Sequence, residues 1–339
     1  MLLCLSAGLG MAQTEPAAIP GKNLRAAAQM RGLMIGASVD EDALRGDAEY
    51  AALLGREFGM LTPENVMKFD SIHPAPFRYN FADGDRILGF ATEHGMQVHG
   101  HVLVWHAQLP AWLTRTKWTR EELRLILHAH IARVVGHYRQ RVPVWDVVSE
   151  AIDDRGELRK TFWLEGIGPE YIALAFQWAH EADPDAHLIY NDYGTEGLNR
   201  KADAVLRLLA DLRARGVPVH GVGFQMHLNV EEPVDPAEVQ VNIQRFAKLG
   251  LKTHITEMDV SVPMPVSPDK LALQAGIYRD MMKVCLSVSD CKSFALWGFT
   301  DRYSWIPAFF PGRGAALIFD AQLQPKPAYD ALIGTLNAR

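Results

Sequence analysis

A single (β/α)8 barrel, the TIM-barrel arrangement, is the fold class predicted by this sequence of 339 residues. Three observations lead there. From Leu33 onward, short apolar runs alternate with longer segments of helical periodicity, with no low-complexity linker or shift of composition between them. Eight apolar runs can be counted, which is the strand number of that barrel. The competing open, doubly wound sheet calls for a glycine-rich phosphate turn after its first strand, and Gly36-Ala37-Ser38 is not one.

The strands are expected at 33–38, 59–61, 97–104, 142–148, 187–191, 220–225, 252–256 and 293–299. Between and after them, helical periodicity runs over 85–93, 120–138, 169–181, 201–215, 236–249, 268–284 and 327–336. One barrel domain over 24–339 accounts for the array. Ahead of it, residues 2–13 are apolar, far too short to span a bilayer, and end in small residues near Ala12. They read as a signal-peptide remnant over 1–12, so the protein is expected to be secreted or periplasmic.

Composition bounds the partners. With 48% hydrophobic and 22% charged residues there is ample material for a core. A formal charge of −6 leaves no broad basic surface, which argues against nucleic acid and anionic membranes and suits a neutral polymer better. Cys285 and Cys291 form an even pair in an exported chain. They would close a short disulfide loop before the last strand, or remain two buried thiols.

In such a barrel the active site gathers at the C-terminal strand ends, so each end is read for what it carries. The second is followed by Glu64, Asn65 and Lys68, which put acceptor, amide and ammonium near one rim; a capped helix N-terminus would look similar. The third carries His99, His101, Trp105 and Trp112. His99, His101 and His227 could form a metal set, but no acidic ligand adjoins the His-x-His pair in sequence, and the indoles favour a sugar-stacking wall. The fourth run, Val144 to Ser149, delivers Glu150. The fifth ends Tyr190-Asn191-Asp192-Tyr193, and on the sixth a period of two puts Gln225 and His227 on one side. The seventh delivers Glu257, and the eighth runs from Trp297 into a loop holding Trp305. Flat sugar faces are the obvious partner for indoles on a loop. Two strand-end glutamates are what retaining glycoside hydrolysis needs, one to protonate the leaving oxygen and one to attack the anomeric carbon.

These residues resemble those of glycoside hydrolase family 10, the endo-β-1,4-xylanases, from about Leu24 to the C-terminus. The resemblance rests on seven motifs in family order: Glu64-Asn65-Val66-Met67-Lys68, Gly100 to His106, Trp145 to Ala151, Tyr190 to Tyr193, Gly221 to His227, Ile255 to Asp259 and Trp297 to Asp301. It implies that Glu150 is the general acid/base and Glu257 the nucleophile. His227 would hydrogen-bond Glu257, with Asp259 behind it. Glu64, Asn65, Lys68, His101, Trp105, Gln225, Trp297 and Trp305 would line the glycone subsites, and Asn191 and Tyr193 the leaving-group side. It also implies a Cys285–Cys291 disulfide, xylan and xylo-oligosaccharides as partners, no cofactor or metal, and a monomer.

Two departures stand out. The family has Asn where this chain has Ser149, and Asn where it has Gly194. The first bears on catalytic efficiency, because the Asn amide of the family pattern reaches the sugar 2-hydroxyl; the second loosens the leaving-group side. A xylan-binding protein that has lost turnover, and an endo-β-1,4-glucanase on the same barrel, are the alternative expectations.

Overall fold

The computed structural model describes residues 21–338. The segment read as a signal remnant lies outside the described residues. Ten strands follow in chain order: β1 (Met34–Val39), β2 (Met60–Pro63), β3 (Gln97–Gly100), β4 (Val144–Ser149), β5 (His187–Asp192), β6 (Gly221–Phe224), β7 (His227–Asn229), β8 (Lys252–Pro263), β9 (Cys291–Leu296) and β10 (Arg313–Gly314). Eight of them, β1 to β6 with β8 and β9, pair in parallel in chain order, and β9 returns to β1 to close the barrel. The predicted fold class is the observed one.

The helices start where local chemistry satisfies their first amides. Thr119 and Glu122 form a reciprocal capping box ahead of Arg120–His137, and Asp235 and Ser267 cap helices that open on Pro236 and Pro268. The first crossover escaped the sequence reading. It is made of two short helices, Glu41–Gly46 and Ala48–Glu57, capped by Asp40 and Asp47. Leu24–Met30 and Pro327–Asn337 pack together under the barrel, where Gly21 N–H donates to Asn337 Oδ1 at 2.8 Å. Cys285 and Cys291 are joined as a disulfide, tying the helix Pro268–Ser287 to the first residue of β9. Among the described residues, no helix is long and apolar enough to cross a membrane.

Two strands depart from expectation in ways that shape the mouth of the barrel. The third, read as 97–104, stops at Gly100 and rejoins β4 only at Leu103 and Val104, whose amides donate to Asp146 O and Val147 O at 3.0 Å each. Gly100 is required there, because a Cβ would come within 2.2 Å of the Trp145 indole. The seventh barrel strand, read as ending at Thr256, instead runs twelve residues, through Glu257 to Pro263. Its free upper half is covered by β7 on one side and β10 on the other.

Opposite the mouth, the floor of the barrel is unusually rich in imidazoles. His187 lies between His220 and His254, with ring centroids 5.5 and 5.3 Å away, and its Nε2 is buried without a hydrogen-bond partner among the described residues. Burial, reinforced by His220, His99 and Lys252, lowers the His187 pKa from 6.5 to about 4. As pH falls from 6.5 toward 4 the unfolded chain gains this proton while the folded chain does not, so stability is lost across that window. The expected result of His187→Gln is a shallower fall of Tm with acidification over the same range, followed by thermal melts at each pH. Parallel curves for wild type and variant would contradict this account of the floor.

Candidate active site

Glu150 is the first residue past β4, and its φ of +58° turns its side chain into the mouth. Glu257 sits midway along β8. Two residues brace this pair in crossed fashion. Asn191 accepts the Glu150 amide on its backbone oxygen at 2.9 Å, while its side-chain Nδ2 donates to Glu257 Oε1 at 2.7 Å. Gln225 does the converse, accepting the Glu257 amide at 3.1 Å and donating from Nε2 to Glu150 Oε1 at 3.1 Å. Thr256 Oγ1 donates to Asn191 Oδ1 at 2.8 Å, which fixes the orientation of the Asn191 amide. Each carboxyl is thus held by the residue that anchors the backbone of the other.

Around Glu257 the charges are arranged in layers. Its burial alone would raise its pKa; the His227 hydrogen bond at 3.3 Å, with His101 at 3.9 Å, overcomes this and holds the carboxyl below its ordinary value. Burial would lower His227 in turn, but Asp259 and Glu257 raise it to about 10, so it is an imidazolium that donates from both nitrogens. Asp259 Oδ2 accepts from His227 Nδ1 at 3.0 Å and from Trp305 Nε1 at 2.8 Å. His101 Nδ1 and His99 Nε2 contact the two oxygens of Asp146 at 2.7 and 3.0 Å. Burial would raise Asp146 as well, yet the two imidazoles hold it well below the usual carboxylate range.

This geometry corrects the histidine reading. An acidic group does adjoin the His-x-His pair, supplied by β4 across the strand gap. His99 Nε2 and His101 Nδ1 are hydrogen-bonded to Asp146, while both nitrogens of His227 are bonded to Glu257 and Asp259. Among the described residues, His101, Asp146 and Glu257 are the one group whose ligand atoms approach one another closely enough for a metal.

A groove of about 850 Å³ opens over the glutamates. It is lined by Glu64, Asn65, Lys68, His101, Trp105, Ser149, Gln225, His227, Trp297, Trp305 and Tyr193, with both glutamates on its floor. Lys68 lies 5.0 Å from the Trp105 ring centre and 5.7 Å from that of Trp297, and burial lowers its pKa. Burial raises Glu64 to about 7, against the opposing charge of Lys68.

Asn191 was expected on the leaving-group side. It is fully buried beneath the groove instead, as part of the brace. Trp112 was expected on the stacking wall; its Nε1 donates to His73 O at 3.0 Å, away from the groove. Sequence reasoning missed Asp146, whose place inside an apolar run was the available signal, and Arg159, Phe309 and Phe310. Arg159 bonds the Glu150 backbone, and the two phenylalanines extend the lining beyond Trp305.

The family model for glycosyl hydrolase family 10 matches residues 23–335. The chain belongs to this family. Endo-1,4-beta-xylanase B of Thermotoga neapolitana is 49% identical over 288 residues, covering 84% of this chain and 83% of that protein. Among solved structures, native xylanase 10B from Thermotoga maritima superposes with a TM-score of 0.91 at 46% identity, over 93% of this chain and 98% of the other. Xylanase 10B from Thermotoga petrophila in complex with xylobiose gives a TM-score of 0.91 at 45% identity, over 96% and 98% of the two chains.

Removing His227 takes from Glu257 the first of the influences that oppose its burial. His227→Ala is therefore expected to raise the Glu257 pKa, seen as an upward-shifted carboxyl titration in carbon NMR. An unmoved titration would mean that His101 alone sustains the anion.

Proposed function

We propose that this hydrolase is a retaining endo-β-1,4-xylanase in which Glu257 is the nucleophile and Glu150 the general acid/base. The crossed brace carries this reading. It gives each glutamate fixed partners while leaving both on the floor of one groove, the placement that attack and proton donation on a single sugar require. In the first step a Glu257 oxygen attacks the anomeric carbon as the bond to the leaving oxygen breaks, and Glu150 gives that oxygen its proton. In the second, Glu150 takes a proton from water as the water attacks the same carbon and frees Glu257. Holding Glu257 ionised suits the nucleophile.

The substrate class is supported by the xylanase relatives, by the xylobiose bound in the Thermotoga petrophila protein, and by the groove itself. Indole faces at Trp105, Trp297 and Trp305 suit sugar rings, while Glu64, Asn65 and Lys68 offer hydroxyl partners. The groove is complete within one chain, which supports a monomer as the working unit. The disulfide supports an oxidising compartment outside the cytoplasm.

Retention requires the two carboxyl groups about 5–5.5 Å apart, too close for an intervening water. Proton NMR of the first-formed product from a xylo-oligosaccharide should show the β anomer. An α product would remove Glu257 from the nucleophile's role.

Ser149, beside Glu150, is buried, and its Oγ has no hydrogen-bond partner among the described residues. A hydroxyl too short to reach the 2-position of the attacked sugar forfeits transition-state stabilisation of ~1–3 kcal/mol, roughly 5- to 150-fold in rate. Ser149→Asn should therefore raise kcat on plain xylo-oligosaccharides and lower relative activity on 2-O-decorated ones. A kcat that stays level or falls would show that Ser149 is compensated elsewhere.

A further inference from the structure

Glu150 is a non-glycine residue held in the left-handed region, and it lies past the last ladder bond of β4, so its backbone needs outside support. That support has two sides. The Glu150 amide donates to Asn191 O at 2.9 Å, and the Glu150 carbonyl accepts from Arg159 Nε at 2.8 Å. The same guanidinium donates through Nη2 to Ile152 O at 3.2 Å and to Tyr193 Oη at 2.9 Å. It is presented by a tight loop. Ile152 and Leu158 form an antiparallel bridge, Asp153 Oδ1 accepts the amides of Arg155 and Glu157 at 3.0 Å each, and the Arg159 amide returns to Ala151 O at 2.8 Å. Arg159 is half-buried and does not line the groove.

We propose that Arg159 is the positioning residue of the acid/base: its planar fork locks the carbonyls of Glu150 and Ile152 and the Tyr193 hydroxyl into one unit, and so keeps the Glu150 carboxyl on the leaving oxygen. The proposal rests on the acid/base reading of Glu150. Glu257 has no such need, because it lies inside the continuous strand β8, outside the left-handed region, with ladder pairs on β8 both before it at Ile255 and after it at Met258 and Asp259. Losing Arg159 therefore harms proton transfer specifically and leaves nucleophilic attack intact. A lysine cannot replace it, since an ammonium is a point charge on a flexible stem and does not present a rigid planar fork to three oxygens.

The test compares kcat/KM on 2,4-dinitrophenyl and phenyl β-xylobiosides, which place aglycones of similar size on the same side but differ in their need for a proton. The ratio of the two is independent of how much of a preparation is folded. In Arg159→Ala the phenyl substrate should lose about 10- to 100-fold, part of the usual worth of a positioned acid, while the dinitrophenyl substrate stays within about 3-fold. Arg159→Lys should behave like the alanine variant, and added azide should give some β-xylobiosyl azide, the product expected in larger amount from Glu150→Ala. An unchanged ratio in Arg159→Ala, or a ratio restored by lysine, overturns the proposal. If Glu150→Ala itself leaves the ratio unchanged, the acid/base assignment fails, and that result is separate from anything Arg159 does.

Discussion

The site depends on keeping Glu257 charged where almost no water reaches it. A carboxylate taken out of water without compensation would neutralise instead, so the surrounding protein must supply what the solvent no longer does. It does so with two imidazoles, one on each flank, and each has its own buried carboxylate: His227 has Asp259 and His101 has Asp146. The hydrogen-bonded chain continues outward, with the neutral indole of Trp305 donating to the Asp259 oxygen that also holds His227. Removing any member leaves another buried group unpaired, which is why so many polar residues here are committed to one another rather than to the groove.

The barrel makes this possible by bringing distant strands together without long loops. β7 pairs with the upper half of β8, His227 opposite Asp259, above the point where β6 ended with Phe224 opposite Ile255. Between those two pairs β8 has one residue more than the facing segment, and the break falls at Gln225 and Met226, the latter with φ of +63°. Gln225 is thereby released from the ladder to reach Glu150, while His227 re-enters it beside Asp259.

Much of this was legible in the sequence. Strand ends could be placed because buried parallel strands are apolar runs that stop where polar residues begin, and Glu150 marks such a stop. What was not legible lay off that pattern. Asp146 sits within an apolar run, and its partners come from β3, so only the strand pairing reveals the contact. Asn191 occupies the same motif as Tyr193, yet one is buried and one lines the groove: strand alternation would put both on one face, but Tyr193 lies past the end of β5 and is free of it. The β8 extension reads as continuous with the barrel strand, and its length is decided by β7 and β10, whose short stretches carry no periodicity of their own.

The same alternation explains why Glu150 and Glu257 have different backbones. In a regular strand Ser149 and Glu150 would point to opposite faces, yet both line the groove. Only a turn out of the extended conformation can do that, and the left-handed φ of Glu150 is that turn. Glu257 needs none, since its neighbours Thr256 and Met258 are buried and serve the brace and the core. One carboxyl is thus set by a continuous strand, and the other by a single unfavourable dihedral with hydrogen bonds on either side of it. The role proposed for Glu257, a nucleophile that forms a bond at a fixed point, suits the first arrangement. The role proposed for Glu150, exchanging a proton with the leaving oxygen and later with water, suits the second, in which its aim is set by side chains rather than by the ladder.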